Sequence, residues 1–67
     1  MFKLYSKFIG SDCEFERAKS GNAAYLKRKA KELAQDYKAW CAKYGQGEDR
    51  QIFIIKYGTR VSWEAII

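Results

Sequence analysis

One long stretch with helical periodicity, residues 20 to 44, constrains the fold of this chain more than any other feature. Its apolar residues recur at spacings of three and four, and they fall within an arc of about 120° on a helical wheel. They are Ala23, Leu26, Ala30, Leu33, Ala34, Tyr37, Trp40, Cys41 and Tyr44. Ser20 is a typical N-cap residue, and Gly45 suits the left-handed position that ends many helices. The pattern predicts a helix from Ser20 to Tyr44 that buries this arc against a sheet.

Segments on both sides of the helix carry the turn chemistry of β-hairpins. The predicted strands are residues 2–9, 13–19, 51–57 and 60–67. The strands of each hairpin are joined by a dipeptide that begins with glycine, Gly10-Ser11 in the first and Gly58-Thr59 in the second, which is typical of type II′ turns. The element order is therefore ββαββ. With 67 residues the chain is expected to form one α+β domain of two layers, an antiparallel sheet packed on one amphipathic helix.

The first turn predicts a register for the first hairpin. Counting outward gives three pairs on a mostly apolar face: Phe8 with Cys13, Ser6 with Phe15, and Leu4 with Arg17. Because a charged side chain is costly to bury, Arg17 on this face indicates that the second strand lies near a sheet edge. The competing interpretation is a capping box at Ser11 and Glu14 that starts a short helix.

The facing of the second hairpin is less constrained, since both of its faces carry apolar residues. Counting from Gly58-Thr59 assigns to the core Ile52, Ile54, Val61, Trp63 and Ala65. This choice leaves Phe53, Ile55 and Tyr57 on the outward face. The opposite facing remains open.

Residue types that carry out catalysis are scarce in this chain. It contains no histidine, which removes the commonest general base and the commonest metal ligand. Glu14 and Glu16 are interpreted as solvated cross-strand charges. Cys13 and Cys41 fall on interior faces and supply only two soft ligands, so they are interpreted as small buried hydrophobes. We therefore expect a non-catalytic protein without a metal or a cofactor; a small enzyme would require an exposed, reactive thiol.

Charge gives the first indication of a binding surface. Thirteen Lys and Arg residues against eight Asp and Glu residues give a net charge of +5, which favours anionic partners. Lys27, Lys31 and Lys38 lie within about 40° of one another on the helical wheel, with Arg28 further round and no acidic residue between them. This strip predicts a basic footprint that docks on an acidic groove or along phosphates. The competing interpretation is an ordinary solvated helix face.

Aromatic residues give the second indication. Under the chosen facing, the outward sheet face holds Tyr5, Phe53, Ile55 and Tyr57 among the basic residues Lys3, Lys7 and Arg60. Such a face is suited either to stacking nucleic-acid bases or to covering by another protein, including a second copy of the chain. An exposed strand edge offers a further route to association.

The leading hypothesis is a small binding protein that inhibits or modulates a larger protein partner. The predicted contact residues are Lys27, Arg28, Lys31, Lys38, Tyr5, Phe53, Ile55, Tyr57 and Arg60. The expected partner is an acidic protein surface or a nucleic-acid-processing complex. In size and charge the chain resembles the host-takeover and counter-defence proteins of bacterial viruses. The alternative is a nucleic-acid-binding protein without sequence preference.

The N-terminal segment bears on where the protein works. MFKLYSKFIG carries lysines at positions 3 and 7 and contains no long apolar run. Signal peptides and membrane spans require such a run. We therefore expect a cytoplasmic protein that has no membrane partner and that pairs with a second copy, if at all, through its sheet face or a sheet edge.

Overall fold

A computed structural model describes residues 1–45 and 50–67 of the chain. Five elements follow in order: β1 (Phe2–Phe8), β2 (Phe15–Ser20), α1 (Ala23–Tyr44), β3 (Gln51–Tyr57) and β4 (Arg60–Ile66). The strands form one antiparallel sheet in the order β2-β1-β3-β4. The helix packs on one face of this sheet. The predicted ββαββ architecture of the α+β class is therefore confirmed.

The hydrophobic core lies where α1 crosses β1 and β3. Its buried members are Leu4, Leu26, Ala30, Ala34, Phe53 and Ile55. The two alanines are small, so the helix backbone can approach the sheet closely while the larger side chains fill the space on either side. Burial of each large apolar side chain contributes about 1.5 to 3 kcal/mol, which makes this cluster the main source of stability.

The predicted facing of β3 is wrong, whereas Trp63 and Ala65 of β4 lie on the helix side of the sheet as predicted. Phe53 and Ile55 are fully buried and lie beneath α1 instead of facing outward. Strand geometry therefore places Ile52 and Ile54 on the opposite side of the sheet, where Ile54 is nevertheless buried as predicted. Val61 was also assigned to the core, yet half of its surface is exposed.

A β-bulge in β4 alters the predicted pairing. The turn is as expected, because Gly58 has φ 64° and Tyr57 pairs with Arg60. The register then shifts after the Lys56–Val61 pair, so that Ser62 is an extra residue and Ile55 pairs with Trp63. A bulge of this kind exchanges the faces of all the residues that follow it. Trp63 therefore lies on the same side of the sheet as Ile55, and packs at the margin of the core.

The first hairpin contains a second bulge. Ser6 pairs with Phe15 as predicted, but Leu4 pairs with Ala18 instead of Arg17. Arg17 is the extra residue, and its Nε donates a hydrogen bond of 2.7 Å to Ser6 Oγ. Strand β2 lies at the edge of the sheet. The Arg17 side chain therefore reaches the buried Ser6 hydroxyl from that edge and provides its hydrogen-bond partner.

The loop of the first hairpin is longer than predicted. Strand β1 ends at Phe8 and β2 begins at Phe15, so Phe8 and Cys13 do not form a strand pair. The thiol of Cys13 is exposed, which corrects its assignment to the interior. The backbone N–H of Cys13 donates to Ser11 Oγ at 3.2 Å. Ser11 therefore stabilises a local turn, and residues 11–14 do not start a helix with a capping box.

The start of α1 also differs from the prediction. Asn22 is the N-cap, and its Oδ1 accepts hydrogen bonds from the N–H groups of Ala24 and Tyr25 at 2.9 and 3.4 Å. Ser20 ends β2 instead, and its Oγ accepts from the Asn22 N–H at 3.0 Å. The end of the helix is as predicted, because Gly45 adopts φ 66° in the left-handed region.

The C-terminal part of α1 extends beyond the sheet. A helix of 22 residues is about 33 Å long, whereas a strand of 7 residues spans about 23 Å. Trp40 and Tyr44 lie on the apolar arc but are more than half exposed, and their rings contact each other with centroids 5.2 Å apart. Cys41 is buried as predicted. No helix in the described ranges has both the length and the apolar character needed to span a membrane.

Candidate partner-binding groove between the helix and the last strand

The helix leaves β4 uncovered. Within the described residues, no Cα atom of α1 lies within 8 Å of a Cα atom of β4, whereas α1 approaches all three other strands. On the helix side of the sheet, Trp63, Ala65 and Ile67 are therefore only partly buried. These three residues form the floor of what we call the α1–β4 groove.

Lysines from α1 form one wall of this groove. Lys27, Lys31 and Lys38 share one flank of the helix and are all exposed. The Nζ atom of Lys27 lies 5.9 Å from the centroid of the Trp63 ring, which shows that this flank faces β4. We call these three residues the lysine wall.

A cavity of about 430 Å³ opens at the far end of the groove. It is lined by Ala34, Tyr37, Lys38, Arg50, Gln51, Ile66 and Ile67. Ile67, which follows β4, gives the cavity an apolar side, while Lys38 and Arg50 supply positive charge. Ile66 pairs with Ile52, so its side chain lies on the opposite side of the sheet. The groove therefore combines an apolar floor with a basic margin.

The lysine wall lacks the acidic partners that Lys3, Lys29 and Lys56 have. Three ion pairs occur among the described residues: Lys3 with Glu16 at 3.3 Å, Lys29 with Glu32 at 3.4 Å, and Lys56 with Glu14 at 3.0 Å. None of them involves Lys27, Lys31 or Lys38. The groove margin thus carries positive charge that the described part of the fold leaves uncompensated.

The remaining predicted contact residues do not form one surface with this wall. Phe53 and Ile55 are in the core. Tyr5 lies on the opposite face of the sheet, half-buried, with Lys56 Nζ 5.1 Å from its ring centroid. Tyr57 is 57% exposed but contacts the Phe2 ring at 5.0 Å between centroids. The aromatic sheet face predicted from the sequence is therefore not assembled.

Two basic residues complete the set of predicted contacts. Arg28 is exposed on α1, but on an ideal helix it lies about 100° from Lys27 and points away from the groove. Arg60 is exposed at the start of β4, where it pairs with Tyr57 across the turn. Of the nine predicted residues, the three wall lysines are the ones that the fold brings together along one groove.

Sequence reasoning missed the β4 side of the groove. Trp63 and Ala65 were assigned to the core, and Ile66, Ile67, Arg50 and Gln51 were not singled out. Local sequence gives no signal for them, because their location depends on the bulge at Ser62 and on where α1 lies over the sheet. The helical spacing of the lysines was the one signal available.

Among residues 1–45 and 50–67, groups suited to metal binding are dispersed. No three His, Cys, Asp or Glu side chains in these ranges form a cluster that would hold a metal ion. The two cysteines differ in environment, with Cys13 exposed and Cys41 buried.

Comparisons with models of protein families, with characterised proteins and with solved structures gave no match to this chain.

Proposed function

We propose that the protein is a non-catalytic, cytoplasmic binding protein that attaches to an acidic surface of a larger protein and modulates its activity. The observation that carries this proposal is the uncompensated lysine wall of the α1–β4 groove. Other exposed lysines, such as Lys19 and Lys43, also lack an ion pair among the described residues, but the wall lysines lie together along one apolar groove. Complementary charge at an interface accelerates association and selects partners of opposite sign.

A protein partner is favoured over nucleic acid by the combination of charge and apolar surface. Stacking of bases requires aromatic rings that present an open face, and the predicted platform has lost Phe53 and Ile55 to the core. The groove instead places lysines beside an apolar floor and a cavity. Interfaces between proteins typically combine an apolar centre with a charged, solvated rim.

The test is affinity capture with three tagged proteins from a bacterial lysate, run in parallel with and without nuclease treatment. The first is the wild type and the second is the wall variant, Lys27→Glu with Lys31→Glu. The third is the control variant, Lys19→Glu with Lys43→Glu. Lys19 and Lys43 are exposed and are in none of the ion pairs of the described residues. Each double exchange lowers the net charge from +5 by four units, to +1.

We expect the wild type and the control variant to recover the same protein and the wall variant to lose it. Equal recovery by the two double variants would show that the groove is not the contact surface. Recovery that disappears on nuclease treatment would assign the protein to nucleic-acid binding instead.

A further inference from the structure

The free edge of the sheet runs along the α1–β4 groove. Gln51 and Ile67 exchange both backbone hydrogen bonds, at 3.5 and 3.1 Å. In an antiparallel pair, alternate residues direct their N–H and C=O groups toward the partner strand and the others direct them away. Glu64 and Ile66 therefore point their backbone groups away from β3, toward the open edge. No backbone hydrogen bond outside the helix and the sheet, among the described residues, involves either of them.

The two sheet edges differ in how well they are protected. Edge strands are commonly blocked by charged side chains, bulges and proline. In β2, Glu16, Arg17 and Lys19 are charged, and a bulge interrupts the strand beside Arg17. In β4 the bulge lies near the turn, and the stretch from Trp63 to Ile66 has one charged residue, Glu64. The edge beside the groove is thus the more open of the two.

The spacing of the lysine wall matches an extended chain. Lys27 and Lys31 are separated by about 6 Å along the helix axis, and alternate residues of a strand are about 6.8 Å apart. The next residue on the same face of that strand lies about 14 Å from the first. A residue 14 Å along the strand from the one beside Lys27 lies level with Ala34 to Lys38 of α1, where the cavity opens. One extended segment therefore meets two lysines and then the cavity.

We propose that an acidic segment of the partner adds to β4 as a fifth, antiparallel strand, with two carboxylates beside Lys31 and Lys27 and an apolar side chain in the cavity. The segment has the pattern apolar-x-acidic-x-acidic, because the cavity lies at the C-terminal end of β4 and an antiparallel strand begins there. This inference rests on the proposed function, from which the acidic character of the partner follows. A second copy of the chain is a poorer occupant, because both copies carry a charge of +5 and would bring two lysine walls together.

The probe is a fluorescein-labelled heptapeptide with Leu, Glu and Glu at its second, fourth and sixth positions and Thr at the others. Its affinity is measured by fluorescence anisotropy against five proteins: the wild type, the wall variant, the control variant, Glu64→Pro and Glu64→Thr. Proline removes the Glu64 N–H from the free edge, where the sheet does not use it. Threonine removes the same carboxylate and keeps the N–H.

We expect the control variant to bind the heptapeptide as the wild type does. Glu64→Thr should bind at least as tightly, because it keeps the edge N–H and removes a negative charge beside the acidic peptide. We expect Glu64→Pro and the wall variant to bind at least tenfold more weakly. Equal affinity of Glu64→Pro and Glu64→Thr, with a weakened wall variant, would overturn strand addition and leave the proposed function standing. Absence of wild-type binding at millimolar peptide would likewise overturn strand addition, while the lysate capture decides the proposed function separately.

Modified peptides test the same point without any change to the protein. Residues that pair directly across an antiparallel ladder have their side chains on the same side of the sheet. The threonines opposite Glu64 and Ile66 therefore donate to β4, whereas the Leu and Glu residues direct their N–H groups away. N-methylation of the threonines is expected to abolish binding and N-methylation of Leu and Glu to preserve it. Equal loss of binding for the two sets of N-methylated peptides would overturn the proposal. A wild-type dimer that Glu64→Pro converts to a monomer would also overturn it, because a second copy would then occupy the edge.

Discussion

The helix side of the sheet consists of two parts with different surroundings. Over β1 and β3, Leu4 and Phe53 are fully buried beneath α1. Along β4, Trp63 and Ile67 have the same facing and similar apolar character, yet they remain partly exposed. Side-chain chemistry therefore does not explain the difference. The position of the helix does, and it divides one apolar surface into a buried part that stabilises the fold and a part that stays partly exposed.

The position of the helix follows from how the chain enters it. Only Gly21 and Asn22 separate the end of β2 from the start of α1, so the helix begins close to the β2 edge. From there α1 runs over β2, β1 and β3. The helix backbone does not approach β4 at the opposite edge, although Lys27 lies near the Trp63 ring. The flank that faces this edge carries the lysine wall.

The largest expected effect is on the covered part of this surface. Phe53→Ala removes a fully buried ring and leaves a cavity, so it should lower the free energy of unfolding by about 3 to 5 kcal/mol. Urea denaturation followed by circular dichroism measures the loss. Trp63→Ala is the matched exchange on the uncovered part and should cost clearly less. A loss at Trp63 as large as that at Phe53 would contradict the division into two parts.

The next largest effect is on binding. The wall variant, Lys27→Glu with Lys31→Glu, should lower affinity for an acidic ligand at least tenfold, because attraction is replaced by repulsion on both residues. It should change the free energy of unfolding by less than about 1 kcal/mol, since the lost Lys27–Trp63 contact is weak. Anisotropy with the heptapeptide and urea denaturation give the two values. A variant that unfolds readily would show instead that these lysines support the fold.

A smaller effect is expected at the start of α1. Asn22→Ala removes the acceptor for the Ala24 and Tyr25 N–H groups and should cost about 1 kcal/mol of stability. Asn22→Ser keeps an acceptor at the N-cap and should cost little. Thermal or urea denaturation distinguishes them, and equal losses would place the N-cap elsewhere, at Ser20 for example. Affinity for the heptapeptide should stay unchanged in both folded variants.

The smallest effect concerns the other flank of the helix. Lys29→Ala breaks the Lys29–Glu32 ion pair and should lower the free energy of unfolding by about 0.2 to 0.5 kcal/mol. Lys31→Ala, on the lysine wall, breaks no ion pair among the described residues and should have no measurable effect on stability. A destabilisation by Lys31→Ala that disappears at high salt would reveal an acidic partner within the fold, and the wall would then be compensated.

Local sequence signals were sufficient to predict which segments form the helix and the strands of this fold. Helical periodicity located α1, and Gly45 and Gly58 marked the helix end and the second turn, because both positions require φ above zero. The two bulges were not predictable from the residues. Nothing in the sequence around Ser62 distinguishes a regular strand from one with an extra residue, and that single residue exchanged the face of Trp63.

The candidate site was predictable to a smaller extent. The spacing of Lys27, Lys31 and Lys38 identified a basic flank, since helical geometry alone groups them. The groove needs two further facts that no local pattern contains: the strand order, which places β4 at an edge, and the path of α1, which leaves that edge uncovered. The predicted aromatic face failed for the same reason, because Phe53 and Ile55 have a facing that tertiary packing decides.

The central claim is that the α1–β4 groove is the surface that receives an acidic partner. Its most direct test is a titration of the uniformly ¹⁵N-labelled protein with the heptapeptide, followed by two-dimensional NMR of the backbone amides. The account predicts shifts concentrated at Lys27 to Lys38 and at Trp63 to Ile67, with the Glu64 and Ile66 amide protons becoming protected from exchange. Shifts concentrated on β2 or on the face of the sheet that α1 leaves open would contradict it.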